Sequence, residues 1–117
     1  KFYVTRGLDK CLFVFTEEEW KTQEQKFKSM SFTKAVSRTF NRLFFSGAAD
    51  ITCDKQGRIL LPQYLKEYAG IKRDVMIIGV SNRIEIWSKE EWRKYYEGAA
   101  PSFEKTAENL LDLEEKG

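Results

Sequence analysis

The chain has 117 residues, 42% of them hydrophobic and 15% aromatic, which is enough for one compact domain or for one and a half small repeated units. Twenty basic residues against 18 acidic ones leave a net charge of only +2, and there is no histidine, so imidazole bases, the usual triads and zinc-ligand patterns are excluded. No apolar run approaches the roughly 18 residues of a membrane span, no signal-peptide pattern opens the chain, and Cys11 and Cys53 are too few for a disulfide framework. Reduced thiols in a cytoplasm are the expectation.

In chain order, residues 2–6 and 11–15 read as two strands of a hairpin joined through Gly7-Leu8-Asp9-Lys10. Residues 17–28 predict a helix whose acidic start and basic end suit the helix dipole. A second helix is predicted over 33–46, where Ala35, Val36, Phe40, Leu43 and Phe44 recur at helical spacing. A strand over 48–54, a turn at 55–57, a strand over 58–61 and a short helix over 62–69 follow, with Pro62 suited to a first helical turn and Gly70 to its end. Residues 74–80 and 83–87 predict a second hairpin around Ser81-Asn82, and 88–97 a helix broken by Gly98 to Pro101. The tail 102–116 carries Phe103, Ala107, Leu110 and Leu111 on one stripe and reads as a docked or frayed helix.

The sequence repeats itself at an offset of 72 positions. G-L-D-K-C-L-F-V-F-T-E-E-E-W at 7–20 matches G-V-S-N-R-I-E-I-W-S-K-E-E-W at 79–92. Both Thr16 and Ser88 have a glutamate three residues on, the spacing of a capping box. Residues 48–70, upstream in the second copy, have no counterpart in the first, so the chain is expected to begin inside its first repeat.

The sharpest local signal is D-K-Q-G-R-I-L-L-P at 54–62. Asp54 can accept bonds from backbone N–H groups just ahead of it, and Gly57 tolerates a positive φ. Lys55 and Arg58 then stand on a rigid loop, suited to probing phosphates or base edges. The same residues also allow a plain structural pair between Asp54 and Arg58. Lys10 and Arg83 read as solvated turn residues. Lys34, Arg38 and Arg42 form a basic helix row, read as a solvated face. Trp20, Trp87 and Trp92 read as packing residues rather than stacking platforms, and Phe40, Phe44 and Phe45 make a stripe broad enough to meet a neighbouring subunit. No nucleotide-binding glycine motif is present, and the reading is of a protein that is not an enzyme and needs no cofactor or metal.

The string D-K-Q-G-R-I-L-L-P, followed by a short helix and an apolar hairpin, resembles the SpoVT/AbrB-type DNA-binding module. With T-R-G-L-D-K-C-L-F-V-F and E-E-W before it and I-E-I-W-S-K-E-E-W after it, the order of motifs over residues 3–97 is similar to that of the MraZ family. The resemblance implies a β-rich α+β fold, a swapped-hairpin barrel built from two pseudo-repeats with appended helices, the first repeat incomplete. Its parts would be 1–30 (the remaining hairpin and helix of the first repeat), 31–47 (a connecting helix), 48–98 (the second repeat) and 99–117 (a helical tail). It further implies a sequence-specific regulator that binds double-stranded DNA as a homo-oligomeric ring, at repeated boxes near the promoter of a division and cell-wall gene cluster. The family's D-x-x-x-R motif maps onto Asp54 and Arg58, which makes Arg58 and Lys55 the expected DNA contacts and Asp54 and Gly57 the residues that order the loop. The first copy of that motif is absent from the chain. A toxin–antitoxin type of regulator and an oligomerising protein-interaction module are the alternatives; the long helical insertion over 16–46 favours the MraZ arrangement over the shorter antitoxin one.

Overall fold

The computed structural model describes residues 1–116; Gly117, the end of the expected tail, lies outside the described residues. The order of elements is β1 (Phe2–Arg6), β2 (Leu12–Thr16), α1 (Glu17–Lys28), α2 (Ala35–Ser46), β3 (Ala49–Ile51), α3 (Gln63–Ala69), β4 (Val75–Val80), β5 (Arg83–Ser88), α4 (Lys89–Ala99), a 3-10 turn (Ala100–Ser102) and α5 (Phe103–Lys116). The strands form one antiparallel sheet in the order β3-β1-β2-β5-β4. The molecule is therefore α+β, with a sheet that stays open among the described residues.

Strand alternation sorts the core onto two faces. On one face Val4, Leu12, Val14, Ile51 and Ile86 pack with Leu65 and Ala69 of α3. On the other, Phe15 packs with Trp20 of α1 and Phe44 of α2, flanked by Tyr3, Phe13, Phe27, Phe40 and Phe45. The Thr5 hydroxyl donates to the Phe44 carbonyl at 2.6 Å, which ties the end of α2 to β1. Trp20 and Trp87 are buried as expected. The Phe40, Phe44 and Phe45 stripe, expected to be available to a neighbouring subunit, instead packs within the chain, because α2 folds back over α1 and the sheet. Arg38 stays exposed, as expected of the solvated row, and donates to the carbonyls of Phe32 and Thr33. α2 starts at Ala35 rather than 33, without a side-chain cap.

The repeat is visible as two strand–turn–strand–helix units. Thr16 and Ser88 each cap a helix, their hydroxyls accepting from the N–H of Glu19 at 3.1 Å and of Glu91 at 3.0 Å. The turns differ. In the first hairpin Arg6 faces Leu12, and Gly7 N–H donates to the Cys11 carbonyl around Leu8, Asp9 and Lys10, with Asp9 and Lys10 at positive φ. In the second, Val80 faces Arg83 across the two-residue turn Ser81-Asn82. That extra turn residue shifts β1 against β2 by one position relative to β4 against β5. The two units meet through β2 and β5, where Leu12 faces Ile86, Phe13 faces Glu85 and Val14 faces Ile84. Under the offset of 72, Phe13 and Glu85 are equivalent positions, so the approximate twofold axis runs between them.

Further expectations change. No strand forms over 58–61: β3 pairs with β1 for three residues only, and beyond Ile51 no neighbouring strand offers a ladder. Ile59 and Leu61 still point to the core while Leu60 is 85% exposed, an extended segment without cross-strand bonds. Arg83 is not a solvated turn residue. It pairs with buried Glu85 at 2.8 Å and lies 4.4 Å from the Phe13 ring centroid, while the Trp87 indole donates to the same carboxylate at 2.9 Å. α4 does end within Gly98 to Pro101, at Ala99, and Pro101 sits in the 3-10 turn that separates it from α5, where its missing N–H costs no bond. The tail is helical but does not dock: Phe103, Leu110, Leu111 and Leu113 are all exposed.

The face that α3 covers over β1 is bare over β4 and the start of β5, where Val75 and Ile77 of β4 and Ile84 of β5 stand exposed. The radius of gyration of 16.1 Å exceeds the ~13 Å of a compact chain this long. Among the described residues no helix is long and apolar enough to cross a membrane.

Candidate nucleic-acid interface

β3 and α3 both pack on β1 and present the loop between them at one end of the sheet. The loop begins after Ile51 and returns at Pro62. Asp54 organises it. Its N–H donates to the Arg58 carbonyl at 2.8 Å, and its carbonyl accepts from Gly57 N–H at 3.0 Å. Its carboxylate accepts from the N–H groups of Gln56 and Arg58, both at 2.8 Å, and from Arg58 Nε at 2.9 Å. Gly57 has a φ of 80°, so any side chain there would be strained even though the surrounding space is open.

Of the two sequence alternatives for Asp54 and Arg58, the structural pair is the one seen in the geometry. The ion pair forms, yet it engages the guanidinium through Nε and leaves the Arg58 side chain 72% exposed. An exposed pair of this kind contributes about 0–1 kcal/mol. Its effect is geometric: a flexible side chain is held to one direction while its terminal nitrogens remain free to donate outward. Lys55 is exposed on the same turn and forms no ion pair among the described residues. Asp54, Lys55, Gly57 and Arg58 thus stand together on one ordered loop. Lys10, Arg83, Arg38 and Arg42 do not join them.

The Arg58 backbone N–H, followed by the Arg58 side chain and the Gln56 N–H, holds the Asp54 carboxyl below its ordinary value of 3.8. A depressed folded-state pKa means that the loop's order is fully present above 3.8 and fades as pH falls below it, through the lowered value. Amide resonances of Gln56 and Arg58 are expected to stay fixed above that value and to move only below it; a midpoint at or above 3.8 would contradict the bonding described.

Sequence reading overlooked the residues that anchor the loop's far stem. Tyr64 donates to the Gly47 carbonyl at 2.9 Å and Tyr68 to the Gly7 carbonyl at 2.6 Å. Arg6 donates to the Leu43 carbonyl at 2.8 Å and lies 5.8 and 5.9 Å from the two phenol rings. The four-residue spacing of the two tyrosines on a short helix was the available signal.

Among the described residues no cluster of three or more His, Cys, Asp or Glu side chains could hold a metal. Cys11 is buried, donates to the Leu8 carbonyl and is pushed up to about 12, chiefly by burial, so it is a packing thiol.

Duplicated hairpin–helix units on one antiparallel sheet, with a carboxylate-ordered cationic loop at its end, define a repeat-built α+β protein. The family model described as "MraZ protein, putative antitoxin-like" matches the chain twice, over residues 1–43 and 44–113. Proteins named transcriptional regulator MraZ are similar over 113 residues, 97% of this chain: that of Heliobacterium modesticaldum is 55% identical with 79% of its length covered, and that of Desulforamulus reducens 56% identical with 80% covered. The one from Syntrophomonas wolfei is 55% identical with 79% covered. The chain belongs to the MraZ family.

Proposed function

We propose that the chain is a sequence-specific, double-stranded DNA-binding transcription regulator that contacts DNA through Arg58 and Lys55. Asp54 and Gly57 order the contacting loop. The observation that carries this reading is the Arg58 guanidinium, fixed through Nε by Asp54 while its terminal nitrogens face solvent. A planar donor group held this way suits a guanine edge or a phosphate, and the unpaired Lys55 beside it supplies a second phosphate partner. The names of the relatives agree with a role in transcription.

The regulator acts as a homo-oligomer on repeated boxes near the promoter of a division and cell-wall gene cluster, at the nucleoid, as the family resemblance implies. Apolar β4, unpaired on its outer edge among the described residues, supports closure of the open sheet into a swapped-hairpin barrel by one more strand, in the way β1 receives β3. The exposed stripe of α5 supports further assembly between copies. In this reading the units are 1–30 and 48–98, linked by 31–47 and followed by 99–117.

The test is a titration of the intact protein against a labelled duplex taken from upstream of its own gene, beside a scrambled duplex, at two salt concentrations. Tight binding to the first, with log affinity falling linearly with log salt, is expected. Equal affinity for both duplexes, or none for either, would overturn the reading.

A further inference from the structure

We propose that Arg6, Tyr64 and Tyr68 form a positioning clamp that sets the direction in which the Asp54–Arg58 loop is presented to DNA; this rests on the function proposed above. The loop has two stems. The near stem, β3, is fixed to β1 by ladder pairing of Ala49, Asp50 and Ile51 with Val4, Tyr3 and Phe2. The far stem is Pro62 and α3, and no ladder holds it. α3 is only seven residues long, too short to be stable alone, and depends on what it packs against.

Its apolar side, Leu65 and Ala69, is fully buried against the sheet, but apolar packing resists sliding and rotation weakly. The directional bonds come from the other residues. Tyr64, the second residue of the helix, reaches the Gly47 carbonyl just before β3, and Tyr68, one turn later, reaches the Gly7 carbonyl just after β1. Two hydroxyls four residues apart, bonded to carbonyls on different segments, fix both the rotation and the axial position of α3. Arg6, the last residue of β1, lies beside both phenol rings and donates to the Leu43 carbonyl. It joins α3, β1 and the end of α2 in one contact set. Gly47 is part of the device, since a Cβ there would collide with the Arg6 guanidinium. Through this set, both stems of the loop are referred to the same strand.

None of the three residues is placed to touch DNA in this account; each acts through Arg58 and Lys55. The test uses the intact protein, the duplex from upstream of its gene, and the double variant Tyr64→Phe/Tyr68→Phe, which deletes two oxygens and leaves the rings. Arg6→Lys keeps the charge and loses the planar contact. Affinity is measured well below the melting temperature, beside the amide resonances of Gln56, Gly57 and Arg58. The double variant is expected to shift those resonances and to weaken binding about three- to tenfold, with the slope of log affinity against log salt unchanged, because no phosphate contact is lost. Arg6→Lys is expected to act in the same direction. Unmoved loop resonances would overturn the clamp, and so would moved resonances with wild-type affinity. A reduced salt slope would overturn it by making the tyrosines direct contacts. Arg58→Ala, measured in parallel, separates the two claims: if it binds as wild type, the DNA role of the loop fails, while the resonances of the tyrosine variant still decide whether the clamp exists.

Discussion

Arg58→Ala is expected to abolish most operator binding while leaving the fold intact. A single arginine contact to a base edge or phosphate contributes about 1–3 kcal/mol, and an oligomer presents the loop several times. Apparent affinity should therefore fall well beyond about tenfold through lost avidity. The salt slope should fall as well, by about 1 for each phosphate contact removed. Stability should barely respond, because the Asp54–Arg58 pair is exposed and such pairs contribute about 0–1 kcal/mol. Operator titration at two salt concentrations beside a thermal melt separates contact from structure. Unchanged affinity with an unchanged melt would remove Arg58 from the interface. A lowered melting temperature with a matching loss of binding would make the pair structural.

Phe44→Ala is expected to be among the most destabilising single changes. Phe44 is 6% exposed, and its ring lies between Phe40 and Trp20, with centroids at 5.2 and 5.7 Å and nearly parallel planes. Phe27, Phe45 and Phe15 meet it at steeper angles. Removing a buried phenylalanine costs about 3–5 kcal/mol, a large part of the ~5–15 kcal/mol that holds such a domain together. The melting temperature should drop by roughly 10 °C or more, and Trp20 emission should shift to the red as the cluster opens. Phe32→Ala is the matched control: that ring is 81% exposed, and its loss should change stability by no more than about 0.5 kcal/mol. Equal effects from the two variants would mean that α2 is not held by this cluster.

Where the sequence was readable, the signal was local. Thr16 and Ser88 announced their helices because a hydroxyl and a glutamate at fixed spacing act within one turn. Asp54 and Gly57 announced their loop because an acceptor carboxylate and a residue free to take positive φ are chemical requirements of that turn. The short apolar run Ile59-Leu60-Leu61 misled because such a run reports burial and says nothing about whether a partner strand lies alongside. Arg83 looked like a turn residue because the partners that bury it are the side chain of Glu85 and the ring of Phe13, the latter 70 positions away in sequence. The apolar stripe of α5 was legible, but its exposure was not, since that depends on no other described element covering it. The role of Arg6 depends on three segments meeting, which no window of sequence contains.

The axis between the two halves has a consequence for partner choice. Because Phe13 and Glu85 are equivalent positions facing each other across β2 and β5, the seam joins an aromatic ring to a carboxylate, with the Arg83 cation between them. Two second halves joined by the same strand pairing would set Glu85 against Glu85, a like-charge pair directly opposite in a buried strand. Two first halves would set Phe13 against Phe13 and leave no cation to seat over either ring. The mixed pairing is therefore expected to be favoured over a Glu85–Glu85 seam, which gives the two halves complementary rather than interchangeable edges.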